Sequence, residues 1–273
     1  MEKAAHAVAA ADAAAELERA EIAGGVSSYF TAVRASVAKL GPDMQRAYAE
    51  TGLPLYESGV DGELSARLTV KARGLLKSEH VLVVAYDLSG AGLAHECSYS
   101  INTRKMVYGA GGYQGVCIEM GCRKSAALVL EILENDRLAD LRKGVLKSLL
   151  HEAGHIRALR SSATFGNDAA ASESMAEAYA MAKTKTYGVK PEDAAAALLA
   201  IGAYLDSNHS IHNKILDSLA HYNDRPDIPG AVFGNEGCTA AVYGGDMAGA
   251  AGAMYAKLVG ALGEPDGAGA LRK

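Results

Sequence analysis

The sequence predicts a mainly helical α+β fold in which a small, mostly antiparallel sheet packs on one long helix. Apolar residues at helical spacing cover most of residues 1–78 and 123–205, and a β-branched apolar run at 80–86 opens a short segment of strands between them. The long helix is the one that leads into residues 149–156, where a His-Glu-x-x-His motif lies. The other elements are predicted around that helix.

The N-terminal segment reads as a series of short helices. Residues 3–21 form the first, Gly24-Gly25 breaks it, and Ser27 or Ser28 caps a second that runs to about Leu40. A further helix covers 62–77. This region, residues 1–78, carries no recognisable chemistry, and three roles are open for it: packing on the rest of the chain, forming a wall of a site, or acting as an inhibitory prosegment.

The strands follow directly. His80–Tyr86 is a buried strand, 94–103 and 105–108 form a strand pair, and Gly115–Met120 is a further strand. Gly115–Met120 is the predicted open edge, which an extended peptide could join through main-chain hydrogen bonds. The alternative is that the chain itself covers both edges. Arg123–Glu134 is a helix beside this sheet.

The motif itself is His151-Glu152-Ala153-Gly154-His155. Residues four apart lie one above the other on a helix, so His151 and His155 can hold one metal ion, and Glu152 lies about 100° away, where it can face a bound water. Zinc with two His ligands, a third protein ligand and an open position lowers the pKa of that water to about 7. Glu152 would take its proton during attack on a peptide carbonyl.

The residues before the motif support a helix. Leu138, Val145, Leu149 and Ile156 fall on one apolar stripe, and Asn135 or Asp136 is the predicted N-cap. Small residues at 144 and 148 are interpreted as leaving space beside a metal. The alternative is that two surface histidines happen to lie on an ordinary helix.

The third ligand is expected downstream. The position six residues after His155 is Ser161, so a third histidine of the metzincin kind is absent from the sequence. A short loop leads to a helix over residues 169–182 that carries Glu173 and Glu177. Short connections make consecutive helices antiparallel neighbours, which can bring Glu173 opposite the histidines.

Together these two motifs resemble the gluzincin metallopeptidases, in which a His-Glu-x-x-His helix is followed by a helix with Glu-x-x-Ala-Asp/Glu. The segment Glu173-Ser174-Met175-Ala176-Glu177 matches the second motif, with Glu in the final position where Asp is commoner. The resemblance covers about residues 80–185. It implies a zincin-like fold, Glu173 as the third zinc ligand and Glu177 as the group that orients a ligand histidine. Two alternatives are a register in which Glu177 is the ligand, and a solvated helix face.

The C-terminal third contributes weaker signals. An apolar core helix is predicted over 194–206, a last helix over 246–262 and a frayed tail over 263–273, which leaves 79–262 as the metallopeptidase domain. Gluzincins generally use a His, Tyr or Arg from beyond the glutamate helix to stabilise the oxyanion, and His221, Tyr222 and Arg225 are the candidates; the alternative is that they cap a helix in solvent. A second metal site at His209 and His212 is less favoured, because no partner carboxylate is evident.

Composition narrows the class of protein. The chain has 273 residues, a formal net charge of −5 and no basic block, which argues against nucleic acid as the main partner. No apolar run is long enough to cross a bilayer, no signal peptide is evident, and the four cysteines have no Cys-x-x-Cys spacing, so an intracellular, cytoplasmic setting is expected.

The predicted function is zinc-dependent hydrolysis of peptide bonds. Other divalent ions would fit the same three ligand groups. The alternatives are a catalytically inactive zincin-like protein that binds metal for a structural or regulatory purpose, and a helical scaffold in which the motif is accidental.

Overall fold

Helices make up most of the chain that is described in the computed structural model, which covers residues 2–39, 41–43, 45–46, 57–78, 80–87, 103–105, 116–120, 123–161, 169–205 and 247–265. The helices are α1 (Glu2–Val37), α2 (Gly62–Leu76), α3 (Arg123–Glu134), α4 (Arg142–Ser161), α5 (Ala169–Thr186), α6 (Pro191–Leu205) and α7 (Met247–Leu262). The strands are β1 (Val81–Ala85), β2 (Thr103–Lys105) and β3 (Val116–Met120). A 3₁₀ helix, Asp136–Leu141, precedes α4. The prediction of a mainly helical chain is confirmed.

Helix α1 differs from its prediction, because it runs without a break through Gly24-Gly25. Each glycine costs about 1 kcal/mol in a helix interior relative to alanine. Burial on both sides of the pair offsets this: Ile22, Tyr29 and Phe30 are buried, and the Phe30 ring meets the Tyr86 ring edge-on with centroids 6.4 Å apart. The expected caps at Ser27 and Ser28 are therefore interior helix positions.

Most other helix predictions are confirmed to within a few residues. The predicted 123–134 helix is α3, the 62–77 stretch is α2, and the helices expected at 169–182, 194–206 and 246–262 are α5, α6 and α7. Asp61 caps α2, since its Oδ1 accepts a 3.0 Å hydrogen bond from the Leu64 amide. The predicted 263–273 tail is described only as far as Pro265.

The three strands form one mixed sheet in the order β1-β3-β2. Strand β3 pairs in parallel with β1 over five residues, from Val81↔Val116 to Ala85↔Met120, and antiparallel with β2 over three. The prediction of a mostly antiparallel sheet is therefore wrong. Parallel strands need a long connection, and residues 86–115 are enough for the chain to return to the starting end of β1.

Two local strand predictions are also wrong. Strand β3 occupies the centre of the sheet, so Gly115–Met120 is not an open edge. Strand β2 contains Arg104, the residue at which the sequence suggested a break between two strands, and the rest of that predicted pair, 94–102 and 106–108, lies outside the described residues. Both differences arise from the hydrogen bonds that β1 and β2 form with β3. Because the paired strands are separated along the chain, the residues within each strand do not reveal its neighbours in the sheet.

The outer edge of β1 is closed by side chains from α2. The Ala85 amide donates to Ser65 Oγ at 2.9 Å, the Val83 amide donates to Thr69 Oγ1 at 2.9 Å, and Arg73 Nε donates to the Val81 carbonyl at 2.9 Å. The three helix residues are spaced by four, so they form one row that matches alternate strand residues. Side chains of α2 therefore take the place of a neighbouring strand.

Replacing Thr69 by Val is expected to lower the free energy of unfolding by about 1–3 kcal/mol, because a buried amide and carbonyl of Val83 lose their partner. Valine keeps the shape of threonine, so the loss reports the hydrogen bonds. Thr186→Val is the matched control, since its hydroxyl bonds to Lys183 on an exposed helix face. Urea denaturation of both variants measures the difference; equal stability of the two would contradict this account of the edge.

One hydrophobic cluster joins the N-terminal region to the rest of the chain. Leu64 and Leu68 of α2 belong to the same buried cluster as Val83 of β1, Leu149 of α4 and Ile201 of α6. The division at residue 78 remains a sequence-based prediction, and the core is continuous across it. Helix α4 also contacts β2 and β3, which agrees with the expected packing of the sheet on the motif helix. No helix in the described ranges combines the length and apolar character needed to cross a membrane.

Candidate metal centre

Helix α4 carries the His-Glu-x-x-His motif and is anchored by its apolar stripe. Asn135 or Asp136 was predicted to cap this helix, but Asn135 instead caps the 3₁₀ helix before it, where its side chain accepts a 3.0 Å hydrogen bond from the Arg137 amide, and α4 itself begins at Arg142. Leu138, Val145 and Leu149 are buried in the hydrophobic cluster, which confirms their part of the predicted stripe. The side chain of Ile156 lies outside the described part. Because this stripe is buried in the core, only the other faces of α4 are available to a functional site.

Gly144 does not leave space for a metal. A Cβ at this position would lie 2.9 Å from the Leu198 amide nitrogen and 3.0 Å from the Ala197 Cβ. Helix α6 therefore occupies the space beside Gly144, and the glycine permits close packing of α4 on α6. The interpretation of this residue as part of a metal cavity is wrong.

His151 and Glu152 occupy different environments on α4. His151 is half-buried, whereas Glu152 is only 7 % exposed, and both residues interact with other groups. A charged carboxylate is costly to bury unless other groups compensate for the lost water. A buried glutamate at this position of the motif is therefore a feature that packing alone does not explain.

The backbones of helices α4 and α5 approach closely at Gly154. A Cβ on Gly154 would lie 2.7 Å from the Ala176 Cα, 2.8 Å from its carbonyl oxygen and 3.1 Å from the Tyr179 Cβ. Gly154 stands seven residues before the end of α4 and Ala176 seven residues after the start of α5. In an antiparallel helix pair, residues in contact lie at equal distances from the segment that connects the helices, and Gly154 and Ala176 meet this condition. The short connection predicted such an antiparallel pair.

The two halves of the predicted site have the same spacing relative to this contact. His151 and His155 stand three residues before and one after the contact glycine, and Glu173 and Glu177 stand three before and one after the contact alanine. A local two-fold axis relates two antiparallel helices in face-to-face contact, and it maps positions of equal spacing onto each other on the same side of the pair. The backbone therefore brings positions 151, 155, 173 and 177 to one side of the α4–α5 pair.

The far end of α5 is tied to α2. The Tyr187 hydroxyl, just beyond α5, donates a 2.6 Å hydrogen bond to the Leu76 carbonyl. Burial, with a smaller contribution from Tyr179, raises the pKa of the Tyr187 hydroxyl above its ordinary value, so the hydroxyl stays a donor further into the alkaline range. Helix α5 is thus held at its contact with α4 and at its C-terminal end.

The donor set has the chemistry of a zinc site: two imidazoles one helical turn apart and carboxylates on a neighbouring helix. The side chains of His155, Glu173 and Glu177 lie outside the described part, although their backbone is within it. Among the side chains that are described, no group of three or more His, Cys, Asp or Glu forms a metal-binding cluster. The complete ligand set therefore remains a prediction, including which glutamate would bind.

Other predicted site residues lie in a segment that is not described. The oxyanion candidates His221, Tyr222 and Arg225 fall between residues 206 and 246, together with His209 and His212. Their predicted roles rest on the sequence.

Sequence reasoning missed two features of this region. The first is the point at which the predicted antiparallel neighbours α4 and α5 meet, Gly154 on Ala176, although small residues at 154 and 176, inside the two motifs, were a signal of close helix packing. The second is Lys147, a lysine within the apolar segment Val145–Leu150 that is 6 % exposed. A lysine in such a segment signals either a helix boundary or a buried charge, and α4 continues through it.

Comparisons of the chain with protein-family models, with curated proteins and with solved structures find no match. A proposal about function therefore rests on the residues of α4 and α5 and on the way these helices pack.

Proposed function

We propose that this protein is a zinc-dependent metallopeptidase of the gluzincin type, with a zincin-like catalytic domain that begins near residue 79. The observation that carries the proposal is the α4–α5 contact at Gly154 and Ala176, with the two motifs at equal spacing about it. An accidental His-Glu-x-x-His on a surface helix would have no reason to pair with a glutamate motif in this register.

The ligand roles follow from the donor chemistry and from the family resemblance. His151, His155 and Glu173 would bind the zinc ion, and Glu177 would orient a ligand histidine. Zinc would supply a Lewis acid that makes a water nucleophilic near neutral pH. Exchange of roles between Glu173 and Glu177 is the alternative, since both have a place on the same side of the helix pair.

Glu152 is the proposed general base. Its side chain would remove a proton from the attacking water and deliver that proton to the leaving amine. The substrate is a peptide or protein, and His221, Tyr222 or Arg225 would donate a hydrogen bond to the oxyanion.

The burial of Glu152 also favours a second candidate function. A general base must reach water, and Glu152 as a whole residue is only 7 % exposed. A zincin-like protein that binds metal for a structural or regulatory purpose would not need that access.

The first test is the metal content of the purified protein beside that of the His155→Ala variant. We expect about one zinc per chain in the wild type and its loss in the variant, because a tetrahedral site that loses one of three protein ligands binds far more weakly. His80→Ala is the matched control, since His80 is exposed and lies before β1. Absence of metal from the wild type, even after zinc is supplied, would rule out both candidate functions.

A further inference from the structure

The first half of α1 is a helical arm that extends beyond the rest of the described chain. Phe30 packs on Tyr86, just after the last residue of β1. Glu21 instead forms a 3.3 Å ion pair with Arg73, whose Nε bonds to the first carbonyl of β1. From Phe30 back to Glu21, α1 therefore passes from the end of β1 to its start, and residues 2–20, the arm, continue about 28 Å further.

One face of this arm is open to a partner. Leu17 is 75 % exposed, and Ala13 and Ala20, four residues before it and three after it, lie exposed on the same row. Ile22 is buried and lies about 140° round the helix from Leu17, so the row faces away from the side of α1 that packs on the core. A helix of this length is only marginally stable in water by itself, so contact with a partner would stabilise it.

Acidic residues flank the row that Leu17 centres. Glu16 and Glu18 lie about 100° to either side of Leu17, whereas Arg19 lies on the far side of the helix. Asp12, Glu16 and Glu18 form no ion pair with another residue of the described ranges. The arm therefore presents an apolar row between carboxylates.

A basic patch lies at the same end of the molecule. The Tyr187 hydroxyl bonds to the Leu76 carbonyl, which joins the C-terminal ends of α5 and α2 just before the start of β1. Four lysines, the basic patch, lie within four residues of Tyr187 or Leu76 in the chain: Lys77, Lys183, Lys185 and Lys190. Among the described residues none of the four has an ion-pair partner, and Lys183 lies over the Tyr179 ring. Unpaired charges of both signs are thus present at one end of the chain.

We propose that the arm of one copy binds the basic patch of a second copy, and the reverse, in a two-fold dimer. A two-fold interface uses the same surface of both copies, and the arm and the patch lie at the same end. An arm does not reach the patch of its own chain, because α1 is one continuous helix whose Leu17 row faces away from the core. This inference is independent of the proposed function.

The size of the interface sets the expected affinity. Two contacts, each about 28 Å long and 10 Å wide, bury about 1,100 Å² in total, which is near the lower limit of specific interfaces. A dissociation constant in the micromolar range is therefore expected.

The first test is the molar mass of the full chain by analytical ultracentrifugation over a range of concentrations. We expect a dimer whose dissociation constant rises at least about tenfold between 50 mM and 1 M salt, because salt screens exposed charges. Leu17→Ala should weaken the dimer about tenfold by removing apolar contact area. A wild type that is monomeric at every concentration would overturn the inference.

Charge reversal identifies the two surfaces. Glu16→Lys with Glu18→Lys gives an arm variant, and Lys185→Glu with Lys190→Glu gives a patch variant. Each alone should be monomeric, because like charges then meet in both contacts. An equimolar mixture should form a heterodimer, because both of its contacts again join opposite charges. Glu63→Lys is the control, since Glu63 is exposed at the other end of α2, and it should dimerise like the wild type.

The mixture separates exchange between copies from any effect within one chain. A dimer that survives either pair of reversals would overturn the inference. So would a mixture that stays monomeric when both variants melt at the wild-type temperature. If a double variant does not fold, Glu16→Lys and Lys190→Glu alone take its place.

Discussion

Replacing Glu152 by Gln is expected to reduce peptidase activity by about 10²–10⁴ while zinc stays bound. Glutamine has nearly the same size and shape as glutamate, so it fills the same buried position on α4. It cannot take a proton from the attacking water. The carboxylate is not one of the proposed ligands, so the metal content should remain at that of the wild type.

The measurement pairs hydrolysis of a peptide library with elemental analysis of the same samples. Glu131→Gln is the matched control, because Glu131 is on neighbouring α3, is half-buried and lies outside both motifs. Activity that survives the Glu152 substitution would show that the proposed mechanism is wrong. Zinc in every sample, with no hydrolysis by the wild type of any peptide, would favour the inactive metal-binding alternative.

Replacing Gly154 by Val is expected to lower the free energy of unfolding by about 3 kcal/mol or more and to abolish zinc binding. A Cβ alone would lie 2.7 Å from the Ala176 Cα, a separation that real Cβ atoms essentially never show. The obstructing atoms are backbone atoms of α5, which cannot move aside as a side chain would. The two helices must therefore move apart, and the two motifs would no longer lie next to each other on one side of the helix pair.

Gly74→Val on α2 is the control for the change in residue type, because a Cβ there has no atom within 4 Å. Valine has a somewhat higher helix propensity than glycine, so this variant should be about as stable as the wild type or slightly more stable. Denaturant unfolding and zinc titration of both variants provide the comparison. A Gly154→Val protein with wild-type stability would contradict the close contact of α4 and α5.

Much of the α4–α5 region could be predicted from sequence, because the relevant signals are local. The span of α5, the capping role of Asn135 and the buried stripe through Val145 and Leu149 depend on residues within a few turns of each other, although Asn135 caps a 3₁₀ helix and α4 starts only at Arg142. The two motifs are equally local. The sequence does not decide which of Glu173 and Glu177 would bind the metal. Each glutamate has the same spacing to the helix contact as one of the two histidines.

Other features depended on partners far away in sequence. Helix α1 continues through Gly24-Gly25 because Ile22, Tyr29 and Phe30 are buried around them. The order of the sheet depends on pairing across residues 86–115, and the closure of β1 depends on a row of α2 side chains.

By itself, the sequence determined which residues are the candidates for binding a metal ion and which segments are mainly helical, because both are properties of neighbouring residues. Only the tertiary structure decided that Gly144 serves the packing of α6 and not a metal cavity, that Gly154 meets Ala176, and that Lys147 is buried. These outcomes depend on which helices approach within a few ångströms, and close packing between distant segments fixes that approach.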